Sequence, residues 1–220
     1  MKINFRCITA ILPVIFFWCA SPIAFCKGAV TGTVGTSKPT GFSSVALNGT
    51  VTGTVEATMS RYRKGVVVYL KGVPEKIVPL AATVDQKNLA FIPHVVAVSV
   101  GSTVSFVNSD KVNHDIFSAN PCKKIDIDDF HPGSIKTMTF DKPCEVNLLC
   151  DLHPEMSGFI VVIDSNYFAV TDADGKFTMG SVPPGTYDVA VWSEKLKLQK
   201  KVAVAVNGGQ TSTIDISLVK

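Results

Sequence analysis

The sequence predicts an all-β protein built from stacked sheets. Short Val-rich runs of strand length recur along the chain: VVVYL at 66–70, VVAVSV at 95–100, TVSFV at 103–107, FIVVI at 159–163, TYDVAVW at 186–192 and KVAVAV at 201–206. Clusters of Gly, Pro, Asn and Asp bound these runs, as turns between strands require. No stretch sustains the apolar period of an amphipathic helix.

The first 26 residues read as a secretory signal. Lys2 and Arg6 precede an apolar stretch from Ile8 to Ala20, interrupted by Thr9 and Pro13, and Pro22 and Ala24 follow. This is a basic region, an apolar region and a small-residue cleavage zone in the right order. The apolar run is too short and broken for a retained anchor. Cleavage after Cys26 is expected; the bulky Phe25 argues against a lipid on that cysteine. The expectation is export to the periplasm. Of the 21 basic residues two leave with the signal, so 19 remain against 18 acidic ones. A near-neutral mature chain offers no charge for nucleic-acid binding. No later segment is long and apolar enough to span a membrane.

Residues 27–80 form a Gly/Thr/Ser-rich N-terminal β segment in which VTGTV at 30–34 returns at 51–55. The repeat reads as a duplicated hairpin element. Residues 121–135 (PCKKIDIDDFHPGSI) are expected to be a long loop. Between Ala169–Thr171 and Lys176–Met179, Asp172-Ala-Asp174-Gly175 lacks the spacing and downstream glutamate of a calcium loop and reads as a tight hairpin turn. Lys195–Lys201, alternating with Leu196 and Leu198, reads as a solvated edge strand whose lysines block edge-to-edge pairing.

The stretches TDADGKF, VPPGTYDV and TIDISL resemble the carboxypeptidase regulatory-like, or transthyretin-like, β-sandwich domain. That family opens with a G-x-V-x-G strand and a V-x-L strand, which GAVTGTV and GVVVYL supply far upstream. The resemblance implies either one sandwich split by an insert at 81–164, with 165–220 as its second half, or two independent flanking units.

Three of the six cysteines fall in the signal, leaving Cys122, Cys144 and Cys150. An odd number in an oxidising compartment leaves one thiol that must be protected or used. The simplest partition is a Cys122–Cys144 disulfide with a free Cys150. Two reduced, buried thiols are the alternative, because spacing carries no geometry.

Cys150 opens the stretch CDLHPEM, which places His153 and Met156 at three-residue steps after it. A tight loop returning to a strand can aim such residues at one point, and Pro154 stiffens the turn. Gly158 is expected to let the chain turn into the next strand. His114, in VNHDIF, is expected early in a neighbouring strand. A thiolate and two imidazoles form a trigonal plane that copper accepts in both oxidation states, and a weak thioether favours Cu(I). Zinc more often takes further Cys or His ligands, or a water. His94 and His131 are not needed to complete the set and are expected to be non-ligands.

The run FIPHVVAVSVGSTVSFVN, the NHDIF stretch and the CDLHPEM loop together resemble the cupredoxins, the type 1 blue copper domains, with a ligand loop as short as that of amicyanin. The joining of such a domain to regulatory-like β segments is similar to exported plastocyanin-like proteins of methylamine utilisation. The resemblance implies a Greek-key β-sandwich at 81–164 and one type 1 copper held by His114, Cys150, His153 and Met156. It also implies His153 as the edge for electron exit. The family often carries Asn after its first His, tying the ligand loops; Asp115 here accepts hydrogen bonds but cannot donate an amide proton. Residue 144 is Cys where related sequences show a turn Gly, and a Cys122–Cys144 bond there would brace the strand leading to Cys150. The expected function is a non-enzymatic periplasmic electron carrier with a protein redox partner. Copper storage or delivery, and non-metal adhesion or scaffolding, are the competing readings. No nucleophile–base pair supports a hydrolase, and a regulatory-like domain does not bring a peptidase site with it.

Overall fold

The structure is a computed structural model and describes residues 47–220. The signal segment and the first VTGTV copy lie outside the described residues. The chain enters through β1 (Gly49–Ala57), a single 3-10 turn (Ser60–Tyr62) and β2 (Val67–Lys71). It continues through β3 (Ala81–Gln86), β4 (Phe91–Ile92), β5 (Val95–Ser99), β6 (Ser102–Asn108) and β7 (His114–Ser118). Next come β8 (Ile125–Phe130), β9 (Ile135–Phe140), β10 (Cys144–Leu149) and β11 (Ser157–Ile163). The last strands are β12 (Phe168–Val170), β13 (Lys176–Val182), β14 (Gly185–Trp192), β15 (Lys197–Leu198), β16 (Val202–Val206) and β17 (Thr211–Val219).

These strands make two sandwiches. In the first, the sheets β13-β1-β17-β15 and β12-β2-β14-β16 enclose one core, with Val51, Val55, Leu70, Phe177, Ile216 and Leu218 in it. In the second, β5-β11-β10-β7-β8 and β4-β3-β6-β9 enclose another, with Phe91, Phe106, Ile116, Phe130, Phe140 and Ile160 in it. The first sandwich therefore takes its strands from both ends of the described chain. β1 runs parallel to β17, from Thr50 opposite Thr211 to Ala57 opposite Leu218. All strands of the second sandwich fall between β2 and β12 in sequence. The second VTGTV lies inside β1.

The continuous apolar runs have a shared cause. In β5, Val96 and Val98 face the second core, while Val95 and Ala97 face the first sandwich. In β11, Ile160 and Val162 point one way and Val161 and Ile163 the other. In β2, Val68 and Leu70 enter the first core, while Val67 and Tyr69 turn towards the second sandwich. Phe159, Phe168 and Trp192 complete this seam. A strand covered on both faces loses its polar alternation.

Two expectations are corrected. Residues 121–135 are not one long loop, because IDIDDF forms β8. Ile125 and Ile127 are buried while Asp126 and Asp128 are exposed, the period-two pattern of a half-buried strand; Asp129, at positive φ, shifts the register and returns Phe130 to the core. The 172–175 turn does not join a hairpin, because β12 pairs with β2 and β13 pairs with β1, in opposite sheets. It is a corner, held by Asp172 Oδ1, which accepts from the Asp174 and Lys176 N–H groups at 2.9 and 2.8 Å. The Lys197–Leu198 strand does lie at a sheet edge.

Candidate metal centre

β7 begins at His114 and β10 ends one residue before Cys150, and these strands are neighbours in one sheet, paired through Leu149 and Phe117. The sheet thus delivers an imidazole and a thiol to the same end of the sandwich. After Cys150 the chain makes a compact turn, closed by the Met156 N–H donating to the His153 carbonyl at 2.9 Å. It re-enters the sheet as β11, antiparallel to β10, with Ser157 opposite Leu149. Gly158 does not turn the chain. It sits inside β11, where a Cβ would stand 2.9 Å from Phe91 Cβ and 3.3 Å from the His94 carbonyl. Its role is close approach between strands.

Three donors converge here. His114 Nδ1 lies 3.0 Å from His153 Nδ1, and Cys150 Sγ lies 3.8 and 3.6 Å from these two nitrogens. Among the described residues, His114, Cys150 and His153 are the group of His, Cys, Asp or Glu side chains arranged to hold a metal. Met156 is buried beside Cys150 in the same core. His114, Cys150 and Met156 are at most 2% exposed. His153 is half-buried. His94 and His131 are outside the cluster.

The donor set fits a copper ion. His114 Nε2–H donates to Asp110 Oδ2 at 2.9 Å, which leaves Nδ1 with a bare lone pair facing the other donors. Lone pairs so close in a buried site repel unless a proton or cation lies among them. Separations of 3.0 to 3.8 Å suit bonds of about 2.0 Å to nitrogen and 2.3 Å to sulfur. One thiolate, two imidazoles and a buried thioether are the donors of a type 1 copper centre.

The surrounding contacts hold the donors in place. Asp110 accepts from the Asn88 and Leu89 N–H groups at 2.6 and 3.0 Å as well as from His114. Burial works against its ionisation, but these hydrogen bonds outweigh it and keep the carboxyl below its ordinary range. Buried Asn108 fixes the same turn, donating to the Val112 and Phe130 carbonyls. Asp115 makes the tie between ligand loops by accepting: its Oδ1 takes the Asp151 N–H at 2.7 Å. Gln86 Nε2 donates to the Asp115 carbonyl at 2.9 Å. Burial raises the Cys150 thiol above its ordinary value, with backbone N–H groups of Asp115 and His153 pulling the other way. Cys122 and Cys144 form a disulfide with Cα atoms 6.6 Å apart, at the start of the strand that leads to Cys150. Among the described residues, Cys150 is the free cysteine.

Sequence reasoning missed Asp110, Asn108 and Gln86. The signal for Asp110 was its place four residues before His114 in a turn-forming NSD stretch, which also suits an ordinary turn.

Residues 156–219 match the carboxypeptidase regulatory-like domain family. That span takes in β11, which belongs to the second sandwich, and omits β1 and β2. No curated protein matches the chain. Among solved structures, a copper-containing nitrite reductase from Thermus scotoductus SA-01 is 26% identical over 50% of this chain, with TM-score 0.37; the chain spans 28% of its length. A purple cupredoxin from Nitrosopumilus maritimus is 22% identical, covering 37% of this chain and 99% of its own, with TM-score 0.34. A reduced tryptophan-to-tyrosine mutant of amicyanin is 18% identical, covering 44% of this chain and 98% of its own, with TM-score 0.36. Among the described residues, no helix is long and apolar enough to cross a membrane.

Proposed function

We propose that the protein is an exported type 1 copper protein that carries electrons in the periplasm, with His114, Cys150, His153 and Met156 as the ligands. The observation that carries this reading is the convergence of Cys150 Sγ and the two Nδ1 atoms within 3.8 Å of one another, with His114 and Cys150 buried. When bound, copper supplies one-electron chemistry between Cu(I) and Cu(II). The chain's own part is to keep the donors fixed. Strands β7 and β10, the Asp110–His114 bond and the Asp115–Asp151 tie resist ligand movement, so little rearrangement accompanies a change of charge. His153 is the ligand with solvent access, flanked by exposed Leu152 and Pro154. It offers the edge through which a redox protein would exchange electrons.

The test is direct. Purified mature protein with Cu(II) should turn intensely blue through thiolate charge transfer, bind one copper per chain and exchange electrons reversibly without losing the metal. A colourless protein that does not retain copper refutes the reading. Release of copper on each reduction would reassign the protein to copper delivery. Export is tested by fractionating cells for the mature chain and reading its N-terminus.

A further inference from the structure

His94 stands outside the donor cluster, yet it grips the strand that leaves the ligand loop. Its carbonyl accepts the Phe159 N–H at 2.8 Å. Its Nδ1 meets the Ser157 carbonyl at 2.9 Å. Ser157 directly follows Met156 and faces Leu149, the residue before Cys150. The grip needs Gly158, since a side chain there would collide with Phe91 and crowd the His94 carbonyl.

The other ring nitrogen points across the seam. His94 Nε2 lies 3.1 Å from Glu194 Oε2, on the segment that follows β14 of the first sandwich. Ser157 O and the Glu194 carboxylate are both acceptors, and each ring nitrogen of His94 faces one of them. Burial opposes the charge on Glu194, but hydrogen bonds from Lys195 and His94 overcome it and hold the carboxyl below its ordinary range. The His94 ring also meets the Phe159 ring edge-on at 5.5 Å, and Trp192 lies 5.2 Å from Phe159. Trp192 Nε1 donates to the Glu145 carboxylate on β10. From the first sandwich, Trp192 thus touches the two strands that carry the ligand loop, and Glu194 reaches β11 through His94.

We infer that His94 is a positioning residue for the ligand loop and that Glu194 makes the first sandwich part of the metal centre's support, through the path Glu194–His94–Ser157 to Met156. This rests on the copper reading above. It gives the first sandwich a role in setting the properties of a site to which it contributes no ligand.

The experiment uses the full mature chain loaded with Cu(II) and compares His94→Leu, Glu194→Ala and the double variant. The readouts are the ratio of the thiolate charge-transfer bands and the rate of copper loss to a Cu(I) chelator after reduction. Removing a partner in a ligand's support commonly changes metal affinity by about 10–100-fold. His94→Leu is expected to speed copper loss about tenfold and shift the band ratio. Glu194→Ala should produce the same changes to a smaller degree. A path through one residue also requires that the double variant be no worse than His94→Leu alone. Unchanged spectra and loss rates, or additive effects in the double variant, overturn the inference. Should His94→Leu fail to fold, partly exposed Glu194→Gln carries the test: a shifted band ratio supports it and an unaltered one overturns it. Failure of the copper reading shows separately, as an unmodified protein that stays colourless. Amide exchange at Phe159 then decides: about tenfold faster exchange in Glu194→Ala supports positioning of the loop, and unchanged exchange overturns it.

Discussion

The two sandwiches share an architecture and differ in what their ends carry. The first closes its 172–175 corner on Asp172, whose Oδ1 accepts from the Asp174 and Lys176 N–H groups, while the Gly175 carbonyl accepts from the Val55 N–H of β1. The second closes β10 to β11 with a loop whose Cys150, His153 and Met156 turn inward instead. Strand pairing fixes where the loop ends stand in both cases; only the second uses that rigidity to hold donors whose lone pairs face one another. Chemistry here resides in a loop set on a rigid frame, and the frame itself is compatible with either outcome.

This contrast can be broken at its strongest point first. Cys150→Ser should abolish the blue colour while leaving both sandwiches folded, as judged by circular dichroism and cooperative melting. Persisting colour would remove Cys150 from the ligand set. Leu218→Ala tests the opposite side. Leu218 is buried in the first core, and such truncations cost about 2–5 kcal/mol. Denaturant unfolding should show that loss, while the folded protein stays blue; bleaching in proportion to the loss would mean that the cores are not separable. Asp110→Asn should be milder. It keeps the shape but removes the anionic acceptor from His114, with an expected loss in copper affinity of about tenfold by competition titration. The smallest effect belongs to Glu194→Gln. The folded pKa of Glu194 lies below that of free glutamate, so its contribution is present above about pH 4.3 and lost as pH falls through the folded value. Acid-unfolding curves of wild type and variant should therefore differ above that range and converge below it.

The sequence showed the all-β class and the donor set for different reasons. CDLHPEM is legible because one loop supplies three donors at fixed spacing. His114 is legible only because few other histidines compete. Asp110 was not, since an aspartate in a turn looks the same whether it caps Asn88 and Leu89 or also holds a histidine. The runs at 66–70, 95–100 and 159–163 announced strands but not the seam. Their doubled valines record burial on two faces, while a sequence alone gives no partner for the second face. β8 was misread because the Lys, Pro and Asp residues around IDIDDF suggested a loop, although its isoleucines already alternated. GAVTGTV and GVVVYL pointed to a sandwich split by an insert but left two flanking units as the alternative, since the pairing of Thr50 with Thr211 leaves no local trace.

That pairing bears on the order of assembly. β1 cannot find β17 until almost the whole chain is present, whereas strands β3 to β11 are contiguous and need nothing from outside 81–163 to pair among themselves. Long-range pairing is slow because the intervening chain must first be closed into a loop. A folded second sandwich would hold Lys71 and Phe168 near each other and replace a long flexible closure with a short fixed one. Pulse-labelled exchange during refolding should accordingly protect β10 and β11 before β1 and β17; simultaneous protection would show that the halves of the first sandwich meet without that help. On this account the module at the centre is also a folding hinge pin, and the outermost strands are the last to be secured.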